Sequence, residues 1–96
     1  MRKHTPIHPG VTLKEDFLEP LKMSATALAE HLRVPPNRIT RIINGQTAIS
    51  ADTALRLESA FGVSAQFWMN LQQQYELLKA QEQADSRKGI RQVQAA

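Results

Sequence analysis

The 96-residue sequence predicts an all-α fold, a single small domain of five helices. Three observations predict it. Apolar residues return at helical spacing in five successive segments, with no strand-like alternation competing. Serines 24, 50 and 64 stand immediately before three of those segments, where a hydroxyl can accept a bond from a free first-turn amide. Proline or glycine interrupts the pattern between segments, at Pro20, Pro35, Pro36, Gly45 and Gly62.

In chain order, "GVTLKEDFLEPL" sets Leu13, Phe17, Leu18 and Leu21 on one helical face, and Pro20 is expected to end this first helix by turning Glu19 away from helical geometry. Ser24 caps the second, "ATALAEHL", with Leu28, Ala29 and Leu32 as its apolar stripe. Pro35 and Pro36 cannot extend that helix, yet proline suits the first turn of a new one, so the chain breaks and restarts within about four residues. The third helix is expected over residues 36 to 44 and ends at "NG", where Gly45 can turn left-handed. Ser50 caps the fourth, "ADTALRLESAF", which Gly62 stops. Ser64 caps the fifth and longest, "AQFWMNLQQQYELLKAQEQ", reaching about residue 80. Residues 81 to 96 are polar and read as a flexible tail beyond a domain of residues 1 to 80.

Composition narrows the function classes. The chain contains no cysteine, no apolar leader and no run long enough to span a membrane, which predicts a soluble cytoplasmic protein without disulfides or thiolate metal chemistry. Net charge is +3, with a pI of about 9.7. The positive charge is local: residues 33 to 41 carry Arg33, Arg38 and Arg41 and no acid, which suits a polyanionic partner.

Two short helices joined by a tight turn over residues 24 to 45 form the pattern of a helix-turn-helix, whose second helix enters the DNA major groove. Angular positions on the third helix are compatible with that. At about 100° per residue, Ile39, Ile42 and Ile43 make one stripe, while Asn37, Arg41 and Asn44 lie roughly 140° to 200° away. Thr40 and Arg38 fall on the flanks. Arginine can bond guanine O6 and N7 with two donors, and asparagine can pair with adenine N6 and N7. Asn37 and Arg41 are therefore candidate base readers, and Arg38 suits a phosphate. A solvated face would explain each of these residues singly, but it does not explain the short helix, tight turn and acid-free face together.

These residues also carry a resemblance. "SATALAEHLRVPPNRITRIINGQ", residues 24 to 46, resembles the helix-turn-helix of the XRE (Cro/C1-type) superfamily of phage repressors and bacterial regulators. With "HPG", "FLEPL", "ADTALRLESAFG" and "AQFWMNLQQQYEL", the combination over residues 6 to 80 resembles the HigA/VapI antitoxin family. The resemblance implies a lambda-repressor-like domain that acts as a homodimer on an inverted-repeat operator of double-stranded DNA in its own promoter. It implies a HigB-type toxin, a small ribosome-dependent RNA-cleaving enzyme, as partner. It places Pro36, Asn37 and Arg41 among base contacts and Asn44 at the DNA backbone, and the angular positions leave Thr40 as a further choice for a base. Ser24, Thr26, Arg38 and Gln46 complete the candidate backbone set. Two positions depart from the family pattern: Arg33 stands where the turn is commonly glycine, and Ala25 where glutamine often contacts phosphate. A left-handed Arg33 would cost about 1 kcal/mol.

The fifth helix gathers Phe67, Trp68, Leu71, Tyr75 and Leu78 within roughly 100°. Core packing accounts for the first three. Beyond Tyr75 the helix outruns a small bundle, and surplus apolar surface suggests a partner. Trp68, Met69, Leu71, Tyr75 and Leu78 are accordingly the candidate dimer interface, which would set two third helices about 34 Å apart on DNA.

Catalysis finds little support. His4, His8 and His31 match no metal-ligand spacing, and Glu15 and Asp16 are adjacent and diverge on a helix. No phosphate loop occurs, and no cofactor is implied. An antitoxin, a regulator of the same superfamily without a toxin, and an interaction domain that has lost DNA binding remain, the last disfavoured by Asn37 and Arg41.

Overall fold

The computed structural model describes residues 5–83 and 85–94. Its first helix, α1, is a continuous run over residues 9 to 21, in which a π-helical stretch Leu13–Leu18 lies between α-helical Pro9–Thr12 and Glu19–Leu21. His8 caps it, Nδ1 accepting the Gly10 amide at 2.9 Å. Contrary to expectation, Pro20 does not end the helix, because Glu19 keeps helical angles (φ −63°, ψ −47°) and its amide reaches Lys14 O, five residues back. A proline has no amide to give the ladder, and the wider π turn absorbs the missing bond. The chain turns instead at Lys22, left-handed at φ 53°.

Helix α2 (Ala25–Leu32), α3 (Pro36–Ile43), α4 (Ala51–Phe61) and α5 (Ala65–Gln81) follow. Ser24, Ser50 and Ser64 cap α2, α4 and α5 through the amides of Ala27, Thr53 and Phe67. Glycine turns left-handed after α3 at Gly45 (φ 74°) and after α4 at Gly62 (φ 76°). Arg33 does the same after α2 at φ 62°, with its own amide on Glu30 O (3.1 Å) and the Val34 amide on Ala29 O (3.0 Å). That paired closure is the usual left-handed helix end, built here on a side chain that strains it. After α5 the chain forms one 3-10 turn at Asp85–Arg87, and residues 90 to 94 have no regular structure.

The core takes one stripe from each helix: Leu13 and Leu18, Leu28 and Leu32, Ile39 and Ile42, Ala54 and Leu57, and Trp68 are all buried. Ile43, expected in the same stripe, is half-buried at its edge. Phe17 packs on Trp68 with ring centroids 4.9 Å apart, and Phe67 stands edge-on to the same indole at 5.1 Å. Trp68 is 0% exposed, which corrects its place in the expected dimer interface. A side chain sealed between aromatics of α1 and α5 cannot reach a second copy without opening the core.

Two close approaches fix how the other helices meet α3. A Cβ added at Gly10 would stand 2.0 Å from Ile42 O, so the start of α1 lies directly on the end of α3. Gln72, on α5 and buried, accepts the Ile49 amide at 2.8 Å and donates to Glu76 at 2.9 Å. The loop after α3 is thereby pinned to α5.

Candidate nucleic-acid interface

With its isoleucines seated in the core, α3 turns Pro36, Asn37, Thr40 and Arg41 to solvent, all exposed. The four expected base readers thus share one outward surface. The Thr40 hydroxyl donates to Pro36 O at 3.2 Å, which leaves its lone pairs to accept from an exposed amino group. Asn44 follows the last turn of α3 and Gln46 the left-handed Gly45, both exposed. Ser24 and Thr26 are exposed at the start of α2, with Ser24 Oγ accepting the Ala27 amide at 3.0 Å. Ala25, half-buried against the core, offers no polar group there.

Arg38 is differently placed. Its Nη1 donates to Asp52 Oδ2 at 2.7 Å, and Arg56 Nε donates to the same oxygen at 3.0 Å. Arg56 Nη1 also donates to Leu32 O at 2.7 Å, satisfying a carbonyl at the end of α2. The two bonds from Arg56 and Arg38 hold the Asp52 carboxyl below its ordinary value of 3.8. Asp52 lines a cleft with Asn37, Arg38, Arg41, Thr47 and Ser50, along the seam between α3 and the start of α4.

The histidines have other environments. His8 caps α1 and stacks edge-on against Tyr75 at 4.9 Å, and burial pushes its pKa down despite an opposing backbone bond at Thr47. His31 is exposed near the end of α2, and His4 lies outside the described residues. Among the described residues, no three His, Cys, Asp or Glu side chains converge as a metal site would require. Glu15 and Asp16 are exposed on α1.

Of the expected dimer residues, Met69, Leu71, Tyr75 and Leu78 are half-buried. Leu71 and Leu78 line a cleft of mixed polarity with Ile7, Thr12 and Gln74, and Ile7 in that cleft and Leu77 on α5 are each 60% exposed.

A helix-turn-helix family model matches residues 14–68, which contain α2, α3 and α4 entire. The chain belongs to this helix-turn-helix family. Among its relatives are virulence-associated protein I of Dichelobacter nodosus, 49% identical over 83% of this chain and 74% of that one, and antitoxin HigA-1 of Vibrio cholerae, 37% identical over 78% and 70%. Antitoxin HigA of Pseudomonas aeruginosa, solved with the higBA promoter, superposes at a TM-score of 0.88 with 40% identity, covering 94% of this chain and 100% of that one. Antitoxin GraA in complex with its operator superposes at 0.88 with 33% identity over 99% and 98%. The fold is therefore that of the HigA antitoxins within the helix-turn-helix family.

Three residues that shape this helix-turn-helix surface were not singled out from the sequence. Asp52 is one acid in the first turn of α4, although its spacing of four from Arg56 marks a helical ion pair. Gln72 sat in a polar run, "NLQQQ", that gives no sign which glutamine turns inward. Gly10 was part of a recognisable "HPG", but its crossing with Ile42 is visible only in three dimensions.

Proposed function

We propose that this chain is the antitoxin of a type II toxin–antitoxin pair: a cytoplasmic homodimer that binds an inverted-repeat operator in its own promoter, represses its operon and neutralises a HigB-type mRNA-cleaving toxin. The observation that carries the reading is the outward face of α3, where Asn37, Thr40 and Arg41 are exposed together on a scaffold that HigA and GraA present to operator DNA. In this reading Pro36, Asn37, Thr40 and Arg41 meet base edges, while Ser24, Thr26, Arg38, Asn44 and Gln46 hold the backbone. The half-buried α5 residues Met69, Leu71, Tyr75 and Leu78 pair two copies, with Trp68 supporting them from within. Residues 1 to 80 form the domain, and residues 81 to 96 its flexible tail. No helix among the described residues is long and apolar enough to cross a membrane. The chain acts by binding, not catalysis.

Some relatives are named only as transcriptional regulators, such as YbaQ of Escherichia coli at 37% identity, so a regulator without a toxin is the second reading. Expression of the neighbouring reading frame separates them. A neighbour that arrests growth alone and is harmless with this chain establishes the antitoxin. A harmless neighbour, with specific binding of the chain to its upstream DNA intact, leaves the regulator.

A further inference from the structure

An acid on a DNA-reading surface needs a reason. Asp52 projects from the first turn of α4 into the cleft that Asn37, Arg38 and Arg41 also line. Its side chain is 57% exposed and that of Arg38 39%, so an approaching duplex meets both. Phosphate attraction sums over charges regardless of sequence, so the charge of an ionised carboxylate here, taken alone, weakens binding to every DNA alike. Its ion pairs are too exposed to contribute much stability, and its place in the first turn of α4 adds only the modest stabilisation of a carboxylate at a helix N-terminus. What the carboxylate does accomplish is geometric. It holds one nitrogen of Arg38 at 2.7 Å, is itself braced by Arg56 at 3.0 Å, and Arg56 is anchored on Leu32 O at 2.7 Å. The Arg38 guanidinium is thus tied through α4 to the end of α2.

We propose that Asp52 is a specificity-determining residue that positions Arg38, so that Arg38 adds to binding in the one register where Asn37 and Arg41 have found their bases. Untied, a long cationic side chain reaches phosphates in many registers and rewards them all. Tied, it points its remaining N–H donors to one place, and the register set by the base contacts decides whether a phosphate is there. Asp52 therefore subtracts affinity from random DNA more than from the operator.

The inference rests on the repressor reading and deepens it. Its test compares binding of full-length protein to two duplexes of equal length, one from the DNA immediately upstream of its own coding sequence and one of scrambled sequence, over a range of salt. Asp52→Asn should tighten binding to the scrambled duplex, steepen its salt slope by about one and lower the ratio of upstream to scrambled affinity by about fivefold or more. Asp52→Glu should restore much of the ratio. In an Arg38→Ala background, Asp52→Asn should no longer move it, which a general charge or folding effect would not reproduce. An unchanged ratio in Asp52→Asn, or an equal fall in the Arg38→Ala background, overturns the inference while wild-type discrimination keeps the repressor reading intact. If the wild-type protein prefers neither duplex, both fall.

Discussion

Gln72 on α5 accepts the backbone amide of Ile49 at 2.8 Å, in the buried seam between the last helix and the loop that follows α3. That one bond connects the helix carrying the proposed dimer surface to the segment that ends the proposed reading helix. Replacing Gln72 by Leu leaves the Ile49 amide buried without an acceptor, at a cost of about 1 to 3 kcal/mol. Urea unfolding should show that loss as a lower midpoint with an unchanged slope.

Gly10 should tolerate no side chain. A Cβ there would stand 2.0 Å from Ile42 O and 2.8 Å from Ile43 Cα, both backbone of α3. Neither atom can swing aside as a flexible side chain would, so Gly10→Ala must push α1 and α3 apart. We expect destabilisation of about 1 to 3 kcal/mol or more, and weaker DNA binding at temperatures where the variant is still folded. Calorimetry followed by binding measurements on the folded variant checks both parts.

Arg33 sits left-handed at φ 62° with an exposed side chain, so its backbone carries strain that glycine would not. Arg33→Gly relieves about 1 kcal/mol, partly offset by the greater freedom of the unfolded chain. The thermal midpoint should rise or hold. A clear fall would show that the Arg33 side chain contributes stability.

On the DNA side, Arg41→Ala should cost about 1 to 3 kcal/mol and relax preference at one base pair, whereas Arg38→Ala should weaken every single-base-pair variant of the operator about equally, without relaxing preference at any one position. Binding to an operator library with each base pair varied distinguishes them. Equal, sequence-independent losses from both would remove Arg41 from the base-reading set.

His8 introduces a pH dependence. Burial lowers its pKa below the ordinary 6.5, since a charged imidazole is poorly solvated there and Nδ1 would lose its bond from the Gly10 amide. The unfolded chain then binds a proton more readily than the folded one. Stability is complete above 6.5 and declines as pH falls through 6.5 toward the folded-state value. Unfolding midpoints measured between neutral and mildly acidic pH should fall, and His8→Asn, which keeps a capping acceptor, should flatten the decline.

Much of this architecture was legible in the one-dimensional pattern. The three serine caps, the left-handed Gly45 and Gly62, and the restart after Pro35 all appear where residues 24 to 64 place them. The outward face of α3 also followed from spacing, because Ile39 and Ile42 are buried and Asn37 and Arg41 are not. Pro20 misled, since its missing amide was absorbed by a π turn instead of ending α1.

What the sequence determined by itself are features made by neighbours three or four residues apart: helical periodicity, capping and left-handed helix ends. Those forces act within one segment, so one segment displays them. Tertiary packing decided that Trp68 meets Phe17 of α1, that Arg38 is held by Asp52 from 14 residues away, and that Gln72 reaches Ile49 across 23. Each depends on which helix faces lie against one another, and an apolar or polar stripe states only that it needs a partner, because burial and hydrogen bonding are satisfied by any surface of fitting shape and chemistry.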